Sequence, residues 1–412
     1  MKRVVVTGMG VVSPLGNKVR AFEEAIFAGR HGIGPITRFD ASEFKVKIAA
    51  QVKDFDPKEV LEPKVARRTD LFCQYALVAA KEAMDMAAFP EGSLDLDRCG
   101  VYVGSGIGGL LTIEEGVRTL DAKGPRRVSP FLIPTMIGNM ASGLIAIRYG
   151  FAGPTLPIVT ACATSTNAIG EAFRAIASGQ AEVIAAGGTE SSITDLGVAG
   201  FTACMALCES NDPDRSSIPF DGDRSGFVIG EGAGVLILEE LEHAKARNAV
   251  IYAEVTGYGN RCDAHHMTAP DPEARGAASA IRAALAEAGG IDAKTTYYNA
   301  HGTSTPLNDK TETLALKKAF GAAAQELAIS ATKSMTGHML GAAGAVEAIA
   351  SILALLANKV PPTIGYRVKD PECDLNYTPN AAASRPLEHA VSASLGFGGH
   401  NAVLVLRKYH GR

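Results

Sequence analysis

The sequence predicts an α/β fold made by internal duplication. Short β-branched runs ending in glycine-rich turns alternate with alanine-rich helical stretches. At 412 residues the chain exceeds what one core normally accommodates, so two core units or one doubled unit are expected. A shared order of landmarks favours doubling. Val5-Val-Thr-Gly-Met-Gly10 resembles Glu254-Val-Thr-Gly-Tyr-Gly259, Tyr102-Val-Gly-Ser-Gly106 falls where Tyr298-Asn-Ala-His-Gly302 does, and Ile158-Val-Thr-Ala-Cys162 matches Ile329-Ser-Ala-Thr-Lys333. A hairpin pair near Gly187-Gly188 matches one around Gly398. The boundary falls near residue 250, giving halves 1–250 and 251–412.

The first series of strands is read at Val4–Thr7, Gly100–Gly104, Ile158–Ala161, Glu182–Gly187 and Gly234–Glu239. The second is read at Tyr252–Tyr258, Thr296–Ala300, Ala328–Ala331, Ala390–Ser394 and Ala402–Leu406. Residues 29–70 and 105–155 read as insertions, of a size that covers sites or partner surfaces.

Composition narrows the class. A formal net charge of −4 argues against a general nucleic-acid binder, whose footprint is basic. The chain opens directly on a strand, so no signal peptide is expected, and the odd count of seven cysteines suits free thiols in a reducing cytoplasm. Met339 to Ala357 is almost wholly apolar, but Glu347 lies at its middle. A carboxylate is costly at mid-bilayer, so a buried core helix is expected.

Cys162 follows an apolar strand and precedes a helix whose apolar face is Ile169, Ala172, Phe173 and Ile176, ending at Gly179. A thiol at a helix start feels the positive end of the dipole, which favours its thiolate. His301 ends a strand and leads into Gly302, Thr303, Ser304 and Thr305, with a helix expected from Asn308 and Asp309 and Glu312 arranged as caps. His338 follows Lys333 by five residues. Both histidines fall past strand C-termini, where α/β folds form their sites. Lys333 holds the place in the second half that Cys162 holds in the first, and it is a natural partner for Glu347, whose burial requires one. Gly396-Phe-Gly-Gly399 is a glycine-rich turn whose N–H groups can approach a reacting oxygen. Cys204 and Cys208 lack a second ligand pair and His265-His266 is unsupported, so no metal site is read. Neither a phosphate-binding Walker loop nor a dinucleotide fingerprint is present.

Taken together, Thr160-Ala-Cys-Ala-Thr164, Asn299-Ala-His-Gly-Thr-Ser-Thr305, Thr332-Lys-Ser-Met-Thr-Gly-His338, Gly341-Ala-Ala-Gly-Ala-Val-Glu347 and Gly396-Phe-Gly-Gly399 resemble the β-ketoacyl-acyl carrier protein synthases, the elongating condensing enzymes of fatty acid synthesis, of the II type. The resemblance spans essentially the whole chain. It implies the thiolase fold, a duplicated αβαβα five-layer architecture, usually as a homodimer. It implies that Cys162 carries the acyl chain while His301 and His338 promote decarboxylation of malonyl-carrier protein. The N–H groups of Cys162 and Phe397 would form the oxyanion hole. Thr303 and Thr305 match contacts to phosphopantetheine, and Lys333, Asp309 and Glu347 match supporting polar positions. Ile107 matches the acyl-pocket residue, with Phe131 on the dimer side of that pocket.

The resemblance implies no cofactor, with substrates borne on the phosphopantetheine of acyl carrier protein, and leaves a structural monovalent cation open. Lys64, Arg67, Arg68, Arg126 and Arg127 match docking positions for that acidic partner, where such charges raise encounter rate and fix orientation. Three departures stand out. Met205 replaces a docking arginine, Ser165 replaces a glycine after the nucleophile, and Ala393 replaces an asparagine near the cation position. A type II polyketide ketosynthase and a non-catalytic chain-length subunit remain the alternatives. A thiolase would need a second cysteine near the C-terminal glycine loop, and an initiating synthase an asparagine at His338.

Overall fold

The computed structural model describes residues 1–411. The first half contributes β1 (Val4–Val12), the small hairpin β2 (Ile33–Pro35) and β3 (Ile48–Ala50), β4 (Cys99–Ser105), β5 (Val183–Glu190) and β6 (Gly232–Glu240). The second contributes β7 (Ala253–Cys262), β8 (Thr296–Asn299), β9 (Ala328–Ser330), the short pair β10 (Lys359–Val360) and β11 (Ala383–Ser384), β12 (His389–Gly396) and β13 (His400–Arg407). Nine of these form one sheet in the order β4-β5-β6-β1-β7-β13-β12-β8-β9. The order reads outward symmetrically from the β1–β7 junction, where Val4 pairs with Val255. The pairing sense repeats too: β4 and β5 are parallel, as are β8 and β12, while β5–β6 and β12–β13 are antiparallel.

Side-chain alternation along these strands makes the layers. On β4 and β5, Val101, Val103, Val183 and Ala185 pack outward under the Leu71–Ala87 and Met140–Tyr149 helices. Tyr102, Ile184 and Ala186 face inward, onto the Thr164–Ala177 and Ala343–Ala357 helices. The second half inverts the stack: Ala390, Ala402 and Leu404 face those central helices, and Val391, Val403 and Val405 face the Arg275–Glu287 and Pro306–Phe320 helices. The result is the five-layer αβαβα arrangement.

The repeated Gly-x-Gly has a physical cause in both copies. A Cβ at Gly8 or Gly10 would lie 2.1 or 1.9 Å from the carbonyl oxygens of Ala83 and Ala79. One at Gly257 or Gly259 would lie 2.2 or 1.9 Å from those of Ala284 and Ala280. Each first strand thus brings an outer helix into backbone contact.

Two expectations need correction. Ile158–Ala161 is not a strand. The stretch before it pairs with β4 at the Val101–Thr155 bridge, Ile158–Ala161 itself makes no ladder, and Ala161 already belongs to the turn carrying Cys162. Its second-half counterpart β9 does make a parallel ladder with β8. Nor is the pair near Gly187 a hairpin: β5 and β6 are antiparallel neighbours, but residues 191–231, including the Asp195–Ala203 helix, separate them. The apolar run ends in the Ala343–Ala357 helix, and the candidate span Leu340–Ala357 is 89% buried in the core.

Candidate active site

Cys162 sits in a single 3-10 turn, Ala161–Ala163, that runs directly into the Thr164–Ala177 helix. Ala161 has φ of 52°, a left-handed conformation costing a residue with a Cβ about 1 kcal/mol or more. Thr160 fastens the turn: its N–H donates to Thr164 Oγ1 at 2.9 Å and its hydroxyl to Asn167 Oδ1 at 2.7 Å.

His301 follows β8. Its N–H and that of Gly302 donate to the two oxygens of Glu312 at 2.7 and 2.8 Å. Glu312 is therefore not a helix cap, and the helix does not begin at Asn308. It runs Pro306–Phe320, with Thr305 as the capping residue that accepts from the Asn308 N–H. Asp309 instead accepts the Phe220 N–H at 2.8 Å and pairs with Arg224 at 3.5 Å. His338 is held by the other half of the chain. Its N–H donates to the Val228 carbonyl at 2.7 Å, and its carbonyl accepts from the Gly230 N–H at 2.8 Å.

These three segments bring Cys162 Sγ and one ring nitrogen of each histidine within 4.8 Å of one another. The imidazoles stand nearly perpendicular, at 86°, with centroids 5.3 Å apart. Behind His301, Lys333 Nζ lies 3.3 Å from Nδ1 and 2.5 Å from Glu347 Oε1. An ammonium only donates, so Nδ1 accepts and neutral His301 carries its proton on Nε2.

Burial dominates the electrostatics. It holds His301 well below the usual imidazole range, with the charge of Lys333 and then His338 adding to the effect. His338 is likewise low, from burial and then Lys333. The Cys162 thiol is pushed up to about 12, chiefly by burial, against the opposing pull of Lys333 and the N–H groups of Phe397 and Cys162. This corrects the thiolate expected from the helix start: desolvation outweighs the dipole, which favours a thiol beside neutral imidazoles. Burial also raises Glu347 to about 7 despite Lys333.

The β12–β13 turn completes the site. The backbone N–H groups of Phe397 and Cys162 lie close enough to the sulfur to lower the thiol's pKa. A Cβ on Gly396 would lie 2.7 Å from the Thr160 carbonyl and 3.3 Å from Cys162 N, so only glycine lets the two turns meet. A cavity of about 480 Å³ leads from exposed Met205 and Leu307 to Cys162, with Thr303 and Thr305 on its wall. The two threonine hydroxyls are 2.9 Å apart.

Residues 1–244 match the family described as Beta-ketoacyl synthase, N-terminal domain, and residues 252–367 match Beta-ketoacyl synthase, C-terminal domain. The chain belongs to the β-ketoacyl synthase family. It is 51% identical to the 3-oxoacyl-[acyl-carrier-protein] synthase 2 of Synechocystis sp., over 99% of this chain and 98% of that one. Among solved structures, the ishigamide ketosynthase/chain length factor superimposes with a TM-score of 0.93 at 37% identity, covering 99% of this chain and 100% of its own. A type II polyketide ketosynthase, AntDE, solved with its acyl-carrier protein AntF and bound to the hexaketide, gives 0.92 at 35%, covering 99% and 100%.

The remaining sequence-derived positions of this synthase fall in four groups. Ile107 lines the cavity, whereas Phe131 does not and stands exposed under the Arg68 guanidinium, 4.6 Å from its ring centroid. Lys64, Arg67, Arg68, Arg126 and Arg127 are all exposed, and none lines the cavity. Of the departures, Met205 is at the cavity rim, Ser165 Oγ accepts the Ala345 N–H at 2.9 Å, and Ala393 is buried in the second-half core. Cys204 is exposed, while Cys208 is buried with Sγ 3.2 Å from Ser225 Oγ. Glu190, which lines the cavity, was missed by sequence reasoning. An acidic residue ending an otherwise apolar strand, like Glu347 in its helix, was the available signal.

Proposed function

We propose that the protein is an acyltransferase that performs the decarboxylative Claisen condensation of fatty acid elongation, joining malonyl-acyl carrier protein to an acyl chain held on Cys162. The observation that carries this reading is the thiol between two neutral imidazoles, one of them backed by the Lys333–Glu347 pair.

In the first step the Cys162 proton passes to a neutral imidazole as Sγ attacks the acyl thioester, and the carrier thiol leaves with a proton. Malonyl-carrier protein then enters along Thr303 and Thr305. The Nε2–H of His301 and a ring N–H of His338 stabilise the enolate that forms as carbon dioxide departs. The enolate carbon attacks the acyl-Cys162 carbonyl, whose oxygen develops charge toward the N–H groups of Cys162 and Phe397. Collapse expels Cys162 as a thiolate and yields β-ketoacyl-carrier protein, and a proton taken up from solvent through a histidine restores the thiol. The higher identity to a 3-oxoacyl synthase than to polyketide ketosynthases supports the fatty acid pathway. Retention of Cys162 weighs against a non-catalytic subunit.

Residues 1–250 and 251–412 are the two thiolase-like halves in this reading, the first supplying the nucleophile and the second both histidines. The partner is acyl carrier protein, met by Lys64, Arg67, Arg68, Arg126 and Arg127. The working form is a homodimer: exposed Leu156, Val159 and Phe131, beside a segment that makes little ladder of its own, support a covered face there. A structural monovalent cation fits Asn299 Oδ1, Glu347 Oε2 and Ser392 Oγ, three buried oxygens without hydrogen-bond partners among the described residues. Asn299 and Ser392 are paired across β8 and β12, and the Asn299 amide donates to the Glu347 carbonyl.

The test is acyl-enzyme mass and product formation from acyl- and malonyl-carrier protein. Cys162→Ala should abolish both; full elongation by that variant ends the mechanism. In the same assay, Arg126→Glu with Arg127→Glu should chiefly raise KM for carrier-bound substrates, and an unchanged KM removes the dock.

A further inference from the structure

Glu190 is completely buried at the end of β5, yet no step above uses it. Its carboxylate gathers donors from three parts of the chain. Oε1 accepts from Ser105 Oγ at 2.9 Å, Ser192 Oγ at 3.2 Å and the Ile107 N–H at 3.3 Å. Oε2 accepts from the N–H groups of Gly106 at 2.9 Å and Gly341 at 3.1 Å. Gly341 lies just past His338, and its missing Cβ would stand 2.4 Å from Gly106 N. A single anion thus joins the loop carrying Ile107 to the turn after His338, beside Cys162.

We propose that Glu190 is a positioning residue for acyl-chain selection: through the Ile107 N–H it holds the backbone from which the Ile107 side chain forms a wall of the cavity beside Cys162. This rests on the condensing function proposed above. An ionised carboxylate is acceptor-only, which matches a site containing three backbone N–H donors and two hydroxyls. With Ile107 anchored through its own N–H, a short acyl group fits without displacing it. A longer chain must move the wall and break that bond.

Glu190→Gln separates this role from a structural one. An amide keeping its oxygen at Gly106 and Gly341 turns its NH₂ toward Ser105 and Ser192, whose hydroxyls can accept instead of donate. Only the Ile107 N–H is then left facing a donor. The variant should therefore fold and release Ile107 selectively. Acylation of Cys162 is followed by mass spectrometry with acyl-carrier proteins from two to sixteen carbons, as examples of short and long chains. The ratio of kcat/KM for long over short chains should rise about fivefold, the scale set by one hydrogen bond. In an Ile107→Ala background, Glu190→Gln should not raise that ratio further. Equal loss at all chain lengths, or the same shift in both backgrounds, overturns the proposal. Should Glu190→Gln fail to fold, Ser192→Ala with Ser105 intact tests the same anchor by removing one Oε1 partner, and an unchanged ratio there counts against it. Failure of the wild type to acylate at Cys162 would instead remove the condensing reading itself.

Discussion

Lys333 Nζ lies between His301 Nδ1 and Glu347 Oε1, so one buried cation fixes a tautomer on one side and neutralises a carboxylate on the other. The two duties can be pulled apart. Lys333→Met leaves Glu347 buried without its partner, a loss of about 3–5 kcal/mol in stability. Adding Glu347→Gln should restore much of that stability in thermal unfolding. Turnover should stay low in the double variant, because His301 still lacks the donor that places its proton on Nε2. Recovery of turnover together with stability would show that Lys333 serves the fold alone.

His338 should leave a signature in stability against pH. Its folded pKa is far below 6.5, so on acidification below that value the unfolded chain takes up a proton that the folded site refuses. Stability then falls as pH falls, with a slope of up to about 1.4 kcal/mol per pH unit for one such group. Glu312 and Glu347, both raised to about 7 by burial, act in the opposite sense, so the whole-protein slope is a sum. Comparing the wild type with His338→Asn isolates the histidine. Urea unfolding between pH 6.5 and about 5 should show a shallower acid loss in the variant. Parallel curves would contradict the neutral, buried imidazole.

Gly396→Ala inserts a methyl against the Thr160 carbonyl and Cys162 N. The Phe397 N–H must then retreat from the sulfur, and kcat should fall about a hundredfold, the scale of losing one oxyanion donor. Steady-state kinetics on the folded variant decide this; near-normal kcat would mean that the turn is not part of the chemistry.

The duplicated design was legible in sequence because its cause is local: Gly8, Gly10, Gly257 and Gly259 admit a helix backbone, and only glycine does so. Cys162, the histidines and the Lys333–Glu347 pair were legible for the same reason, each carrying a residue type that a strand end or apolar helix makes conspicuous. What escaped depended on the other half of the chain. The protonation of Cys162 follows from desolvation, which the helix-start argument cannot see. Ile158–Ala161 has strand-like composition but makes no ladder, the bridge to β4 lying before it at Thr155, because ladders need a partner and not merely a propensity. Thr305 caps where Asp309 was expected, because the buried Arg224 claims that carboxylate.

The clasp of His338 by Val228 and Gly230 has a genetic corollary. All three clustered side chains are supplied by one polypeptide, and a histidine encoded late is seated by residues encoded early. Two defective alleles, one lacking Cys162 and the other lacking His338, therefore cannot rebuild the cluster between their products. A single sound allele, by contrast, always supplies one complete cluster.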